Sequence, residues 1–204
     1  HSDLVRMGIP ERYWNAKLGL IPEAVRSKFD KLLQKERLCK CMTEGFGMVL
    51  TGIPCVGKTS AAVVLMKVAR MWGYPGFFIA PNALRRAVFS EQVFDEDTTV
   101  LERCKSVDLL VLDDFRVADV GAKGFGASEF VQLLRYRTDA RLSTILTVSE
   151  NIYDLEEPDY VGEHFLPLIR PLRSSFTDFF IEGPSQEDQV RNRMRDLLFG
   201  DEGD

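Results

Sequence analysis

The stretch Gly52-Ile53-Pro54-Cys55-Val56-Gly57-Lys58-Thr59-Ser60 constrains this chain more than any other, because it satisfies G-x-x-x-x-G-K-[ST] between an apolar run and a helix-like run. Residues 46–51 ahead of it are short and apolar enough for a buried strand, and residues 61–70 behind it read as a helix. Strand, glycine loop and helix together define a phosphate-binding loop. Gly52 and Gly57 let backbone N–H groups turn inward around phosphate oxygens, Lys58 supplies a cation for the terminal phosphates, and Thr59 offers a hydroxyl to Mg2+. The helix N-terminus adds the positive end of its dipole. The candidate nucleotide contacts are therefore Gly52, Pro54, Cys55, Val56, Gly57, Lys58, Thr59 and Ser60. Cys55 has two readings: a thiol activated by Lys58 and the helix end, or a small residue at a variable loop position.

A second signal is the apolar run 107–114, which ends in Asp113 and Asp114 and reads as a buried parallel strand. Two carboxylates at a strand tip suit one nucleotide site: one holds Mg2+, usually through water, while the other orients an attacking water toward the γ-phosphate. The next strand, 143–148, is followed by Ser149, Glu150 and Asn151. At the carboxyl end of a strand Asn151 either senses the γ-phosphate or forms a turn. Farther on, Arg170 and Arg173 either reach a neighbouring subunit's nucleotide or lie on the surface as ordinary arginines.

The remaining chain alternates strand and helix. Residues 7–22 carry Gly8, Pro10, Gly19 and Pro22 among aromatics and read as an ordered, irregular arm. A helix is expected over 23–42, with Val25, Phe29, Leu32, Leu33 and Leu38 recurring near the helical period and Arg26, Lys28, Lys31 and Lys35 on other faces. Residues 76–80 read as a strand, 81–89 as a helix opened by Pro81, 91–98 as an acidic loop, 128–141 as a helix and 177–182 as a last strand. Such alternation implies an open parallel α/β sheet. The expected organisation is an arm (1–22), a nucleotide-binding core (23–183), and about one helix with an acidic tail (184–204).

At 204 residues, 45 % apolar and 28 % charged, the chain suits one globular domain, and its net charge of −5 argues against a wholly basic nucleic-acid-coating protein. Cys39, Cys41, Cys55 and Cys104 lack paired C-x-x-C spacing, so reduced thiols are expected rather than disulfides or zinc. No apolar run approaches the roughly 18 residues of a membrane span, and no signal peptide opens the chain, so a cytoplasmic protein is expected. The first residue is His1 rather than Met, as expected where an upstream segment has been removed.

Taken together, the sequence resembles the AAA+ ATPases of the DnaC/IstB type, which are replicative helicase loaders and transposase helper ATPases. The likeness covers most of the chain. It rests on Gly8-Ile9-Pro10-Glu11-Arg12-Tyr13, similar to a G-I-P-x-R-[YF] opening, on GIPCVGKTS as Walker A, on LLVLDDF as Walker B, and on TILTVSEN as a sensor strand ending in Asn151. The Asp113-Asp114 pair is telling, because most AAA+ proteins end Walker B in Asp-Glu. The resemblance implies a five-stranded parallel sheet of order 5-1-4-3-2, with Ile9 and Tyr13 beside adenine. It also implies ATP and Mg2+ as cofactors, Lys58, Asp113, Asp114 and Asn151 as catalytic residues, and Thr59 with Asp113 at the metal. A trans arginine would be Arg173 in preference to Arg170, and the helical lid would be reduced or absent. The implied partners are a replicative DNA helicase, single-stranded DNA and further copies of the chain. Basic groups over 23–42, Arg85, Arg86, Arg103 and Lys105 are candidate DNA-phosphate contacts, against the plainer reading of a solvated face. A transposition helper or a slowly hydrolysing nucleotide-gated switch are the alternatives.

Overall fold

The computed structural model describes residues 2–91, 100–115, 127–148, 176–181 and 183. Five strands, β1 (Gly47–Thr51), β2 (Gly76–Ile79), β3 (Leu109–Phe115), β4 (Ser143–Val148) and β5 (Phe176–Phe180), form one sheet in the order β2-β3-β4-β1-β5. Every pairing in it is parallel. This is the expected 5-1-4-3-2 order. The inner strands β1, β3 and β4 are almost wholly buried because both their faces are covered, which is why they read as continuous apolar runs.

Two cores follow from strand alternation. Leu109 and Val111 of β3 join Met48, Leu50 and Ile145 on the face covered by α4 (Lys58–Met71). Leu110 and Leu112 point the other way, toward Phe130, Val131 and Leu134 of α7 (Ala127–Asp139) and Cys104 of α6 (Val100–Ser106). Helix α4 is buried at every position from Ala61 to Met66. It lies between the sheet and an outer layer built from the arm and from helices α2 (Glu23–Leu32) and α3 (Lys35–Glu44).

That outer pair corrects the single helix expected over 23–42. The chain leaves the helix at Leu33-Gln34 and re-enters it at Lys35. Leu38 follows Phe29 by about two and a half helical turns, so one straight helix would aim them in opposite directions. The break lets both reach full burial in the same core. Helix α5 (Pro81–Glu91) starts at Pro81 as expected. Residues 92–98 of the expected acidic loop lie outside the described residues, and α6 was not anticipated.

The arm is ordered through its backbone. It opens with a short helix α1 (Ser2–Arg6), and two 3-10 turns, Glu11–Tyr13 and Leu18–Leu20, shape the rest. The carbonyl of Met7 accepts the outward N–H of Phe78 at 2.8 Å, covering the free side of edge strand β2. Gly8 is required there: its φ is +73°, and a Cβ would sit 2.5 Å from the Phe78 carbonyl oxygen. Midway, Lys67 of α4 donates to the carbonyls of Trp14 (2.5 Å) and Ala16 (3.0 Å). At its far end Pro22 packs against Gly183, which also adjoins Val56. None of the four cysteines is in a disulfide. Among the described residues no helix is long and apolar enough to cross a membrane.

Candidate nucleotide site

The glycine loop leaves β1 at Thr51 and enters α4 at Lys58, three residues before the apolar run begins. Gly57 caps the helix in a left-handed conformation (φ +104°), which an L side chain rarely adopts. Gly52 (φ +142°) passes so close to β5 that a Cβ would lie 2.5 Å from the Ile181 carbonyl oxygen. Val56 anchors the loop in the core with no exposure, while Pro54 and Cys55 stand in solvent. Cys55 carries φ +59°, a left-handed value on a residue with a Cβ.

Lys58 is 6 % exposed, and its Nζ donates to the carbonyls of Gly52 and Ile53, both at 2.7 Å. The ammonium is thus held inside the concavity a phosphate would fill. Burial pushes its pKa down, opposed by the charges of Asp114, Cys55 and Asp113. Thr59 presents its hydroxyl to Asp113 across the floor of the site, and Ser60 is buried behind it.

The two acids are separated by a bulge that the sequence does not announce. Leu112 pairs with Leu146 and Phe115 with Val148, so Asp113 and Asp114 together stand opposite the single residue Thr147. Under unbroken alternation Phe115 would fall on the α4 face. Instead it joins Leu110 and Leu112 on the opposite face and stacks on Phe130 at 5.0 Å. Asp113 keeps the α4 side and is 6 % exposed; Asp114 is exposed, with φ +58°. Burial raises the pKa of Asp113, and Asp114 adds to the rise; hydrogen bonds from Thr147 and Thr59 and the charge of Arg12 oppose it.

The donor set fits Mg2+: a threonine hydroxyl and a carboxylate oxygen, 2.8 Å apart, are hard oxygen ligands reached from two elements. Among the described residues no group of three or more His, Cys, Asp or Glu could cage a metal without a substrate.

The structure therefore brings together Gly52, Val56, Gly57, Lys58, Thr59, Ser60, Asp113 and Asp114. Ile9 is 3 % exposed, with its carbonyl on the Trp14 indole N–H at 2.9 Å, and Tyr13 is half-buried beneath the Arg12 guanidinium. Met7, two residues before Ile9, pairs with Phe78 of β2, Arg12 acts on Asp113 through its charge, and Pro22 and Val56 both adjoin Gly183. Asn151, Arg170 and Arg173 lie outside the described residues. Of the basic groups proposed for DNA, Arg103 covers the Phe77 ring at 4.0 Å and bonds the Arg6 carbonyl, and Lys105 pairs with Glu102 at 2.8 Å. Arg85 and Arg86 are exposed on α5. Sequence reasoning passed over Thr147, whose only signal is a hydroxyl residue near the end of an apolar strand.

A parallel sheet of this order, with a phosphate loop after β1 and an acidic tip on β3, defines a P-loop protein of AAA+ architecture. More narrowly, the fold is that of the DnaC-type helicase loaders and related replication initiators. The DnaC helicase loader superposes with a TM-score of 0.66 at 21 % identity, over 85 % of this chain and 100 % of that one. DnaI gives 0.63 at 18 % identity, over 87 % and 94 %. AMPPCP-bound DnaA from Aquifex aeolicus gives 0.64 at 16 % identity, over 90 % of this chain and 56 % of DnaA. No protein-family profile and no curated protein matches the chain.

Proposed function

We propose that the protein binds ATP with Mg2+ and hydrolyses it, acting in DNA replication as a helicase loader that grips single-stranded DNA in an ATP-dependent assembly. The observation that carries this reading is the convergence of Lys58, Thr59, Asp113 and Asp114 within one bulged, hydrogen-bonded site. Loop N–H groups and Lys58 would bind the β- and γ-phosphates, and Thr59 with Asp113 would hold Mg2+. Bound there, the ion neutralises phosphate charge. Asp114, exposed at the strand tip, is the group to orient the attacking water. Its side chain is shorter than the glutamate usual at that place, which favours slow turnover and a switch-like use of ATP.

We assign the base contact to Ile9 and Tyr13 of the arm, a reading supported by the charge of Arg12, between them in sequence, acting on Asp113. Asn151 would sense the γ-phosphate, and Arg173, or Arg170, would complete the site of a neighbouring copy. Fold likeness to DnaC and DnaI favours a replicative DNA helicase as partner. Replication initiator DnaA bound to AMPPCP and single-stranded DNA shares the fold at 16 % identity. The test is ATP hydrolysis with and without single-stranded DNA, beside size measurements in each nucleotide state. DNA-stimulated turnover with assembly in ATP supports the reading; a folded protein that binds no ATP refutes it.

A further inference from the structure

We propose that Thr147 is the positioning residue of this site: its buried hydroxyl fixes the β3 bulge and thereby sets Asp113 toward Thr59 and Asp114 toward solvent. The inference rests on the ATPase reading for its kinetic consequence but not for its structural one. Thr147 is 1 % exposed and sits on β4 between Leu50 of β1 and the tip of β3. Its Oγ1 accepts the Asp114 backbone N–H at 2.8 Å and donates to Asp113 Oδ1 at 2.7 Å. That same Oδ1 accepts the Thr59 hydroxyl at 2.8 Å. A short relay thus runs from the backbone of one acid, through Thr147, to the side chain of the other, and on to the first turn of α4.

A hydroxyl is suited to this place, because a bulge leaves an N–H outside the regular ladder and a carboxylate buried beside it. One O–H group serves both, as acceptor for the first and donor to the second. Valine has the same branched shape and strand preference but can do neither. Without the hydroxyl, Asp114 has less reason to keep its left-handed φ. Relaxation toward extended backbone would swing its carboxylate away from the side on which Thr59 stands.

The experiment compares wild type, Thr147→Val, Thr147→Ser and Thr147→Cys. Hydrogen exchange at the Asp114 amide, measured without nucleotide, should speed up by at least about tenfold in the valine variant and stay near wild type in the serine variant. Turnover should fall by at least about tenfold in Thr147→Val while ATP affinity without Mg2+ stays within about twofold, and serine should restore it. The cysteine variant, with a weak donor and acceptor, should fall between and serves in place of valine if that protein does not fold. Unchanged Asp114 exchange and turnover in the valine or cysteine variant overturn the proposal, as does serine failing to rescue either property. If wild type hydrolyses no ATP, the ATPase reading fails, and the amide exchange still decides the role of Thr147.

Discussion

The hydroxyl of Thr59, in the first turn of α4, donates to Asp113 Oδ1 at the tip of β3 over 2.8 Å, closing the floor of the site before any phosphate arrives. Because this carboxylate is buried, its pKa is raised, and the sign of its effect on stability follows. A raised carboxyl binds more protons folded than unfolded, so the nucleotide-free protein loses Asp113's contribution as pH rises from about 4 through the raised folded value. Thermal unfolding against pH should show that decline in wild type and a flatter curve in Asp113→Asn. An Asn variant that declines as steeply would assign the effect to another group.

Lys58→Ala should lower ATP affinity at least about 100-fold, since it removes the one buried cation of the loop, and such charge-assisted contacts are among the strongest available. The Gly52 and Ile53 carbonyls it releases lie near solvent, so folding stability should change by no more than about 1 kcal/mol. Calorimetric titration and urea unfolding together separate the two effects.

Cys55 occupies a left-handed conformation that glycine adopts without strain. Cys55→Gly should be neutral or stabilising by up to about 1 kcal/mol, the relief being partly offset by glycine's unfolded-state entropy. Cys55→Val, β-branched at the same φ, should destabilise by about 1 kcal/mol or more. Equal midpoints for the two variants in chemical denaturation would count against strain at this position.

Arg137 is fully buried and ties the far end of the sheet together. Its guanidinium donates to the carbonyls of Cys104 (2.6 Å), Val107 (2.9 Å) and Ser143 (2.5 Å) and to the Thr144 hydroxyl (2.9 Å). Burial brings its pKa down to about 10, still well above neutrality, so it is charged under ordinary conditions. Arg137→Ala should cost about 3–5 kcal/mol by orphaning several buried acceptors at once. Arg137→Lys should recover only part, because an ammonium cannot reproduce the planar fork. Ligand affinity in a folded Lys variant should remain near wild type.

Much of the architecture was legible because it is written locally. Strand β4 begins and ends at Ser143 and Val148 as expected, since its β-branched run is bounded by a charged helix end and polar residues. The phosphate loop was legible from its glycines and its flanks. The helix break at Leu33-Gln34 was not, as neither proline nor glycine marks it; it follows from where the core lies. Helix α6, with seven residues, is too short to show a period. The bulge depends on a hydroxyl in another strand, and Arg137 reads as any helix arginine until its partners on α6, on the link from α6 to β3 and on β4 are seen. The break, the bulge and the role of Arg137 are long-range facts, invisible to a local window.

The carbonyl of Met7 on the Phe78 N–H has a consequence beyond the nucleotide. An uncovered four-residue edge strand is a template on which another chain can pair, and the arm removes that template while burying Met7 and Ile9 beneath it. Shortening the arm past Gly8 would therefore do more than weaken the fold: it would give the sheet an adhesive border. Self-association through β2, rather than simple unfolding, is how such a truncated protein should fail.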